Sequence, residues 1–251
     1  MSLAASPPRS LQLPSDEVHT WCASLDVSAD TGARLCATLT PDERHRSARF
    51  HFERDRQRFI VTRGVLRDLL ARYLETQPGK IRFVYSAFGK PELSPEFGSR
   101  VTFNLSHSGG LLLIAIASAS RVGVDIEYIR CQPDYADLAR HFFSTAEVEW
   151  LAALPSHLYA EAFLSCWTKK EAYLKARGEG LAIPLNSFSV PLTTDPAPVD
   201  LCVGSEVIVP ARRWSLYALR PAPGYLGALA IEGSGWRLSQ WEWQMAQEWP
   251  E

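Results

Sequence analysis

Cysteine is too sparse and too scattered in this chain for a disulfide framework or a zinc site. The five cysteines are odd in number, and no two have CxxC spacing. This usage fits a reducing compartment, so we expect a cytoplasmic protein. No apolar run approaches the ~20 residues that a membrane-spanning helix needs. Residues 1–14 lack the charged and apolar regions of a signal peptide and are expected to form a disordered leader.

A strong charge of one sign is also lacking. The net charge of the 251 residues is −2, and 46% hydrophobic with 22% charged residues is ordinary for a globular protein. Arginines crowd residues 44–72, but the acidic remainder argues against a nucleic-acid-binding protein. A Walker glycine loop is absent too, which counts against an enzyme acting on nucleoside triphosphates.

Capping and periodicity predict the helices. A Ser or Thr followed three residues later by Glu marks helix starts at Thr40 and Ser144. Apolar residues at helical spacing predict longer helices over residues 53–75 and 158–176. Gly178 and Gly180 are predicted to stop the second of these.

Alternating and continuous apolar runs predict short strands. They lie at residues 81–85, 101–107, 111–118, 122–127, 188–190, 201–203, 214–219 and 225–231. The pattern of a long helix, a glycine stop and later a hairpin occurs twice. We therefore expect an α+β protein of two similar halves, residues 15–121 and 122–251, each a long helix packed on a small antiparallel sheet.

Three carboxylates form a candidate metal site. Asp125 and Glu127 are two apart on a predicted strand, so both project from one face. Two neighbouring acids repel unless a cation lies between them. With Glu171, they make a set of oxygen ligands that suits Mg²⁺. A solvated face of an edge strand would explain Asp125 and Glu127 equally well.

A helix face and a strand end add candidate binding groups. Trp167, Glu171 and Lys175 have i, i+4, i+8 spacing and share one helix face, which an ordinary surface ion pair would also explain. Ser106 and His107 lie beside a glycine turn, where a hydroxyl and an imidazole can donate to phosphate oxygens. A turn histidine with a purely structural role is the alternative.

Taken together, these motifs resemble those of the 4′-phosphopantetheinyl transferases of the larger, Sfp-like type. The resemblance covers residues 40–190 and leaves out the leader and a tryptophan-rich tail. In chain order, its motifs are FGKP at 88–91, FNLSHSG at 103–109, VGVDIE at 122–127, FSTAE at 143–147, WTKKEAYLK at 167–175 and GEGL at 178–181.

The resemblance implies a pseudo-twofold α+β fold that binds coenzyme A in a cleft between the halves. It implies Mg²⁺ bound by the three acids, with Glu171 as the first candidate for general base and Lys175 facing the pyrophosphate. The residues implied to contact coenzyme A are Ser106, His107, Arg46, Lys90, Lys175 and, less directly, Arg58. Relatives often carry a basic residue where this chain has Glu43.

The implied reaction transfers 4′-phosphopantetheine from coenzyme A to a serine of an apo acyl or peptidyl carrier protein and releases 3′,5′-ADP. Carrier proteins of polyketide and nonribosomal peptide synthesis are the implied partners, and we expect a monomer that binds neither nucleic acid nor membrane. Two alternatives stay open at this point: another Mg²⁺-dependent pyrophosphate or phosphotransfer enzyme, and a carrier-protein-binding homologue without turnover. The turn region after Glu127, residues 130–143, is expected to contact the carrier protein.

Overall fold

A computed structural model describes residues 11–130, 134–179, 183–192, 199–203 and 212–245. These residues form six α-helices, two four-stranded sheets and a two-stranded ribbon, so the predicted mixed α+β class is confirmed. None of the described helices is long and apolar enough to cross a membrane.

The helices are α1 (Ala29–Ala37), α2 (Pro41–Ala48), α3 (Glu53–Tyr73), α4 (Tyr135–Phe142), α5 (Thr145–Ala152) and α6 (Ser156–Arg177). The strands are β1 (Glu17–Ser24), β2 (Phe83–Tyr85), β3 (Pro91–Leu93), β4 (Val101–Ser108), β5 (Leu111–Ser118), β6 (Val122–Tyr128), β7 (Val199–Val203), β8 (Arg212–Leu219), β9 (Tyr225–Glu232) and β10 (Arg237–Glu242).

Each four-stranded sheet carries one long helix. The first sheet has the order β10-β1-β5-β4 and the second has β6-β9-β8-β7, with β2 and β3 pairing separately. All neighbours are antiparallel except β1 and β10, which run parallel. Helix α3 packs on the first sheet through one apolar cluster, and α6 packs on the second sheet through another.

Strand alternation explains how the two sheets also pack on each other. Leu112, Ile114 and Ile116 of β5 join the cluster under α3. Their neighbours Leu113 and Ala115 belong to a third cluster, which lies between the sheets. That cluster is completed by Val18, Ala117, Val122, Val124, Ile126, Tyr217, Leu219, Leu229 and Ile231. Successive strand residues face opposite sides, so β6 presents its odd-numbered residues to α6.

The capping boxes at Thr40 and Ser144 are both present, as predicted. The two long helices lie within two residues of their predicted bounds, and Gly178 ends α6 in the left-handed conformation at φ 72°. Gly180 lies outside the described residues. The predicted hairpins are β4–β5 and β8–β9.

Other expectations were wrong or incomplete. Residues 188–190 follow a 3₁₀ turn, Leu185–Ser187, and form no strand. The region predicted as a turn after Glu127 contains α4, while residues 131–133 of it lie outside the described part. Strands β1, β3 and β10 and helix α1 were not predicted. The boundary at residue 121 and the pseudo-twofold relation stay predictions, and β10 returns the end of the chain to the first sheet.

The tryptophan-rich tail is part of the first core. Trp243 is 8% exposed in the cluster under α3, and its Nε1 donates to Asp68 Oδ2 at 2.7 Å. Asp68 is fully buried and also accepts from Arg72. Residues 1–10 of the predicted leader and Trp249 of the tail lie outside the described residues.

We expect Trp243→Ala to lower the free energy of unfolding by about 3–5 kcal/mol, because it empties a large core position and removes a hydrogen bond from buried Asp68. Urea unfolding measures the change. Gln244→Ala is the matched control, since Gln244 is exposed and contacts Arg72 only through its backbone oxygen. A loss below about 1 kcal/mol for Trp243→Ala would show that the tail is not part of the core.

Candidate active site between the two sheets

Side chains of β4 join the edges of the two sheets next to the predicted acids. Asn104 Oδ1 accepts from the Val124 backbone N–H at 2.9 Å, and Ser106 Oγ donates to Asp125 Oδ1 at 2.8 Å. Ser108 Oγ donates to Glu127 Oε2 at 2.8 Å and accepts from the Tyr128 backbone N–H at 3.1 Å. The even-numbered residues of β4 thus hold β6 in register without a backbone ladder.

Helix α6 brings the other two charged groups to the same place. Lys175 Nζ lies 2.6 Å from Asp125 Oδ1 and 2.8 Å from Ser106 Oγ. Glu171 lies one turn earlier on α6, and partial burial together with the charges of Asp125 and Glu127 raises its pKa. The structure therefore brings together the three acids, Ser106 and Lys175 that the sequence singled out.

Gly123 is what allows α6 to come this close. A Cβ at Gly123 would stand 2.1 Å from Ala172 O and 2.3 Å from Ala176 N, so any side chain there would collide with the helix backbone. Gly123 is two residues before Asp125 on the same face of β6, and Ala172 directly follows Glu171. Close packing of small residues thus places the acid of the helix against those of the strand.

The electrostatics of the site favour a cation. Desolvation and repulsion from Asp125 and Glu127 raise the pKa of Glu171, and the Lys175 charge opposes only part of this shift. Desolvation is also the main cause that raises the pKa of Glu127. Asp125 is 4% exposed, and its Oδ2 has no hydrogen-bond partner among the described residues.

The types of residue at this site therefore suit a divalent cation, but their side chains are not arranged as a preformed metal site. Within the described ranges, no group of three or more His, Cys, Asp or Glu is close enough to hold a metal ion as it stands. The Lys175 ammonium meets Asp125 instead. The buried, unpartnered Asp125 Oδ2 and the mutual repulsion of the acids nevertheless suit a hard cation with oxygen ligands.

A cavity of about 490 Å³ opens beside this site, between α3, α6 and the loop of Lys90. Glu171 and Lys175 line it on one side, and Arg46 lines it on the other. Its remaining lining residues are Phe59, Thr62, Arg63, Leu66, Tyr85, Phe88, Gly89, Lys90, Pro91, Phe103, Asn104, Leu105, Leu174 and Gly178. The cavity combines apolar and aromatic walls with basic groups, as a site for an anionic nucleotide requires.

Arg46 and Lys90, two of the basic residues predicted to contact the ligand, both line the cavity but differ in exposure and in their contacts. Arg46 is exposed at the cavity, with its guanidinium 5.5 Å from the centre of the Phe59 ring. Lys90 Nζ donates to the backbone oxygens of Val122 and Lys175, at 3.2 and 2.8 Å, and burial lowers the Lys90 pKa. Lys90 thus links β6 to α6 as well as lining the cavity.

His107 and Arg58 lie away from that lining among the described residues. His107 is on the opposite face of β4 from Ser106, and partial desolvation and the charges of Lys175 and Arg58 lower its pKa. Arg58 is half-buried on α3, with Nη2 4.0 Å from Asp26 Oδ1.

Sequence reasoning missed Arg63. It lies within the cavity lining, donates to Tyr85 Oη at 3.0 Å and stands over the Phe83 ring, while its Nη1 is buried without a partner among the described residues. The sequence signal that could have identified Arg63 is its place as the single arginine between Phe59 and Leu66, on the apolar face of α3. Ser108 was missed as well, although it stood in the predicted hairpin.

Glu43 and Trp167 have structural contacts. Glu43 is 8% exposed and accepts from Arg67 Nε at 2.8 Å, with Arg63 Nε at 3.4 Å. Its carboxylate therefore offsets buried arginine charge. The Trp167 ring packs on Phe163, with ring centroids 6.0 Å apart.

Of the residues predicted to contact a carrier protein, some are buried in the core and others are exposed. Tyr135 and Phe143 are 7% and 3% exposed and belong to the core, whereas Phe142 is 40% exposed. Arg140 is also exposed, and Leu138 lines a second cavity of about 350 Å³ next to Glu127.

Comparison with known proteins agrees with this arrangement. The profile of the 4′-phosphopantetheinyl transferase superfamily matches residues 121–218, and that of the 4′-phosphopantetheinyl transferase N-terminal region matches residues 27–120. The 4′-phosphopantetheinyl transferase HetI of Nostoc sp. is 40% identical over 238 residues, 94% of this chain and 96% of HetI. The 4′-phosphopantetheinyl transferase Sfp of Bacillus subtilis is 31% identical over 169 residues, 67% of this chain and 73% of Sfp.

A fold of two sheets with acids at their junction thus matches a family of group-transfer enzymes. The chain belongs to the 4′-phosphopantetheinyl transferase family, and the predicted resemblance is confirmed.

The raised pKa of Glu171 gives a prediction about stability. Its carboxylate binds a proton more tightly in the folded state than in the unfolded state, so its charged form costs stability near pH 7. Glu171→Gln should therefore raise the Tm of the metal-free protein by a few degrees at pH 7. The difference should shrink as the pH falls towards about 4, where the carboxyl group is protonated.

Differential scanning calorimetry in EDTA measures these midpoints. Glu149→Gln, on the exposed side of α5, is the control and should leave the Tm unchanged at both pH values. A lower Tm for Glu171→Gln at pH 7 would mean that the carboxylate stabilises the metal-free site.

Proposed function

We propose that this enzyme transfers the 4′-phosphopantetheine group of coenzyme A to a serine of an apo acyl or peptidyl carrier protein, with Mg²⁺ and with release of 3′,5′-ADP. The observation that carries the proposal is that Glu171 and Lys175 line the 490 Å³ cavity, while Lys175 Nζ also contacts Asp125, which shares a strand face with Glu127. Family membership supports the carrier protein as acceptor.

The cavity supports coenzyme A as donor. Its aromatic and apolar walls suit an adenosine, and Arg46 and Arg63 can meet phosphate oxygens with charged donors. Lys175 lies where this cavity reaches the acids, so its ammonium can offset charge on the pyrophosphate. A nucleotide in the cavity would thus present its pyrophosphate to the three carboxylates.

Asp125, Glu127 and Glu171 would hold Mg²⁺ in this proposal, which fits the unpartnered Asp125 Oδ2. Bound there, Mg²⁺ supplies positive charge that stabilises the phosphate oxygens during transfer. Ser106 and Ser108 hold Asp125 and Glu127 in place through their hydroxyl groups.

The reaction needs one proton acceptor. The carrier serine oxygen bonds to the β-phosphorus of coenzyme A while the bond from that phosphorus to the bridging oxygen breaks, and 3′,5′-ADP leaves with the bond's electron pair. The serine proton goes to the Glu171 carboxylate, directly or through a water. The oxygen of Glu171 that takes this proton is one that does not bind the metal, because a coordinated oxygen is a poor proton acceptor.

The proposal also includes the cellular compartment of the enzyme, the kind of pathway that it serves and its oligomeric state. Cys22, Cys36 and Cys166 are free thiols, which supports a reducing compartment such as the cytoplasm. We place the enzyme in the activation of carrier proteins of polyketide or nonribosomal peptide synthesis. The monomeric state stays a prediction from the sequence.

The test is incubation with coenzyme A, Mg²⁺ and a panel of apo acyl and peptidyl carrier proteins, with intact-protein mass spectrometry. We expect a mass gain of one phosphopantetheine on at least one carrier. Asp125→Asn should lower the rate by more than about a hundredfold, because an amide replaces a charged oxygen ligand. Asp30→Asn, at an exposed position on α1, is the control and should keep the rate. No gain on any carrier would favour a binding protein without turnover.

Arg46 gives a separate prediction for coenzyme A recognition. If it meets the 3′-phosphate, Arg46→Ala should weaken coenzyme A by about tenfold to a hundredfold, since one charged hydrogen bond contributes about 1.5–3 kcal/mol. The affinity for dephospho-coenzyme A should hardly change. Titration calorimetry with both ligands measures the difference, and Arg54→Ala, on an arginine 75% exposed and outside the cavity lining, is the control. Equal losses for both ligands would move Arg46 away from the 3′-phosphate.

A further inference from the structure

One charged pair, which joins α5 and α6, takes no part in the chemistry proposed above, although it is the most deeply buried ion pair among the described residues. Lys170 and Glu147 are both 0% exposed, and Lys170 Nζ lies 2.8 Å from Glu147 Oε2. Charged side chains are almost never buried to this extent unless they are paired and fully hydrogen-bonded. Such burial therefore indicates that the pair fixes the elements that it joins relative to one another.

Lys170 fixes α6 to the segment that follows it. Its Nζ donates to Leu185 O at 2.8 Å and to Phe188 O at 2.6 Å, and it stands 4.4 Å from the centre of the Phe188 ring. With Glu147, the ammonium thus has three oxygen acceptors, which is its full donor capacity.

Glu147 extends the same network to α5 and residue 190. Its Oε2 accepts from the backbone N–H and the hydroxyl of Ser144 at 2.8 and 2.9 Å, and its Oε1 accepts from the Val190 N–H at 2.9 Å. Both oxygens are therefore used. The pair joins α6, the start of α5 and the chain around residues 185–190.

Lys170 directly precedes Glu171, and successive residues of an α-helix are turned by roughly 100°. A rotation or an axial shift of α6 that displaces Lys170 therefore displaces Glu171 too. On the side that faces β6, α6 is fixed by the close packing of Ala172 on Gly123 and by the hydrogen bond from Lys90 Nζ to Lys175 O. Hydrogen bonds to three separate oxygens are directional, so they restrict rotation more tightly than apolar contacts do.

We propose that Lys170 and Glu147 are positioning residues for the transfer reaction. They set the rotation and the axial position of α6, and thereby place Glu171 and Lys175 against Asp125. This inference rests on the proposed function, because the placement of Glu171 has a chemical consequence only there.

The experiment compares three variants. Lys170→Met leaves Glu147 buried without its counter-charge and is expected to lower the Tm strongly. Lys170→Met combined with Glu147→Gln removes that charge and keeps a side chain that can complete the capping box, so the double variant should fold. Leu151→Ala opens a cavity in the same apolar cluster and is the control for loss of stability without loss of the pair.

Four quantities are measured for each variant: the Tm, the kcat, the KM for coenzyme A, and the Kd of Mn²⁺ in the presence of coenzyme A by calorimetry. We expect the double variant to lose about tenfold to a hundredfold in kcat, because a displacement of about 1 Å has that effect on an aligned site. Its KM for coenzyme A should stay within about twofold, since Arg46 and Arg63 lie on other helices. Its Mn²⁺ Kd should rise about tenfold, and Leu151→Ala should keep both kcat and Kd.

A double variant with the kcat and Mn²⁺ Kd of the wild type would overturn the inference. So would a Leu151→Ala variant that loses as much kcat as the double variant, because stability alone would then explain the loss. If the wild type transfers nothing to any carrier, the proposed function fails. The Mn²⁺ Kd then still decides whether the pair positions Glu171.

Discussion

Like-charge repulsion between three carboxylates is the constraint on which the rest of this structure depends. Partial desolvation and the charges of neighbouring acids raise the pKa of Glu127 and of Glu171, and Asp125 between them is buried. Unpaired charges at such a site oppose folding. The chain must therefore hold these acids together with elements that are rigid for other reasons.

Those elements are two sheets with a long helix on each outer face. Three apolar clusters stabilise them, and the acids lie where the edges of the sheets meet. Lys175 offsets part of the repulsion through Asp125, and serine hydroxyls offset more. Folding energy from distant apolar contacts thus maintains an arrangement that is locally unfavourable, as is usual at functional sites.

Local signals predicted the parts of the fold whose causes are local. Capping boxes at Thr40 and Ser144 and the glycine at position 178 act within a few residues, so helix starts and the end of α6 could be found from sequence. Strand alternation likewise predicted that Asp125 and Glu127 share a face. Glu171 and Lys175 could be placed on one helix face by spacing alone.

Long-range partners could not be predicted in this way. β10 pairs with β1 across more than two hundred residues, and no local pattern in β10 specifies that partner. The contacts of Lys90 with two backbone oxygens and the fully buried position of Lys170 depend on neighbours that are distant in sequence. Arg63 looked like one of many surface arginines because burial depends on the packed fold. The resemblance to a family, by contrast, depended on several short motifs in order and needed no contacts.

The side-chain contacts between β4 and β6 have a consequence for solubility. Both strands end their sheets, and an open strand edge is a template for pairing with another chain. Asn104 and Ser108 already accept from the N–H groups of Val124 and Tyr128 on that edge of β6. The same polar residues that hold the acids in register therefore also shield these two strand edges from pairing with another chain. Residues that build the candidate active site thus protect this junction against aggregation.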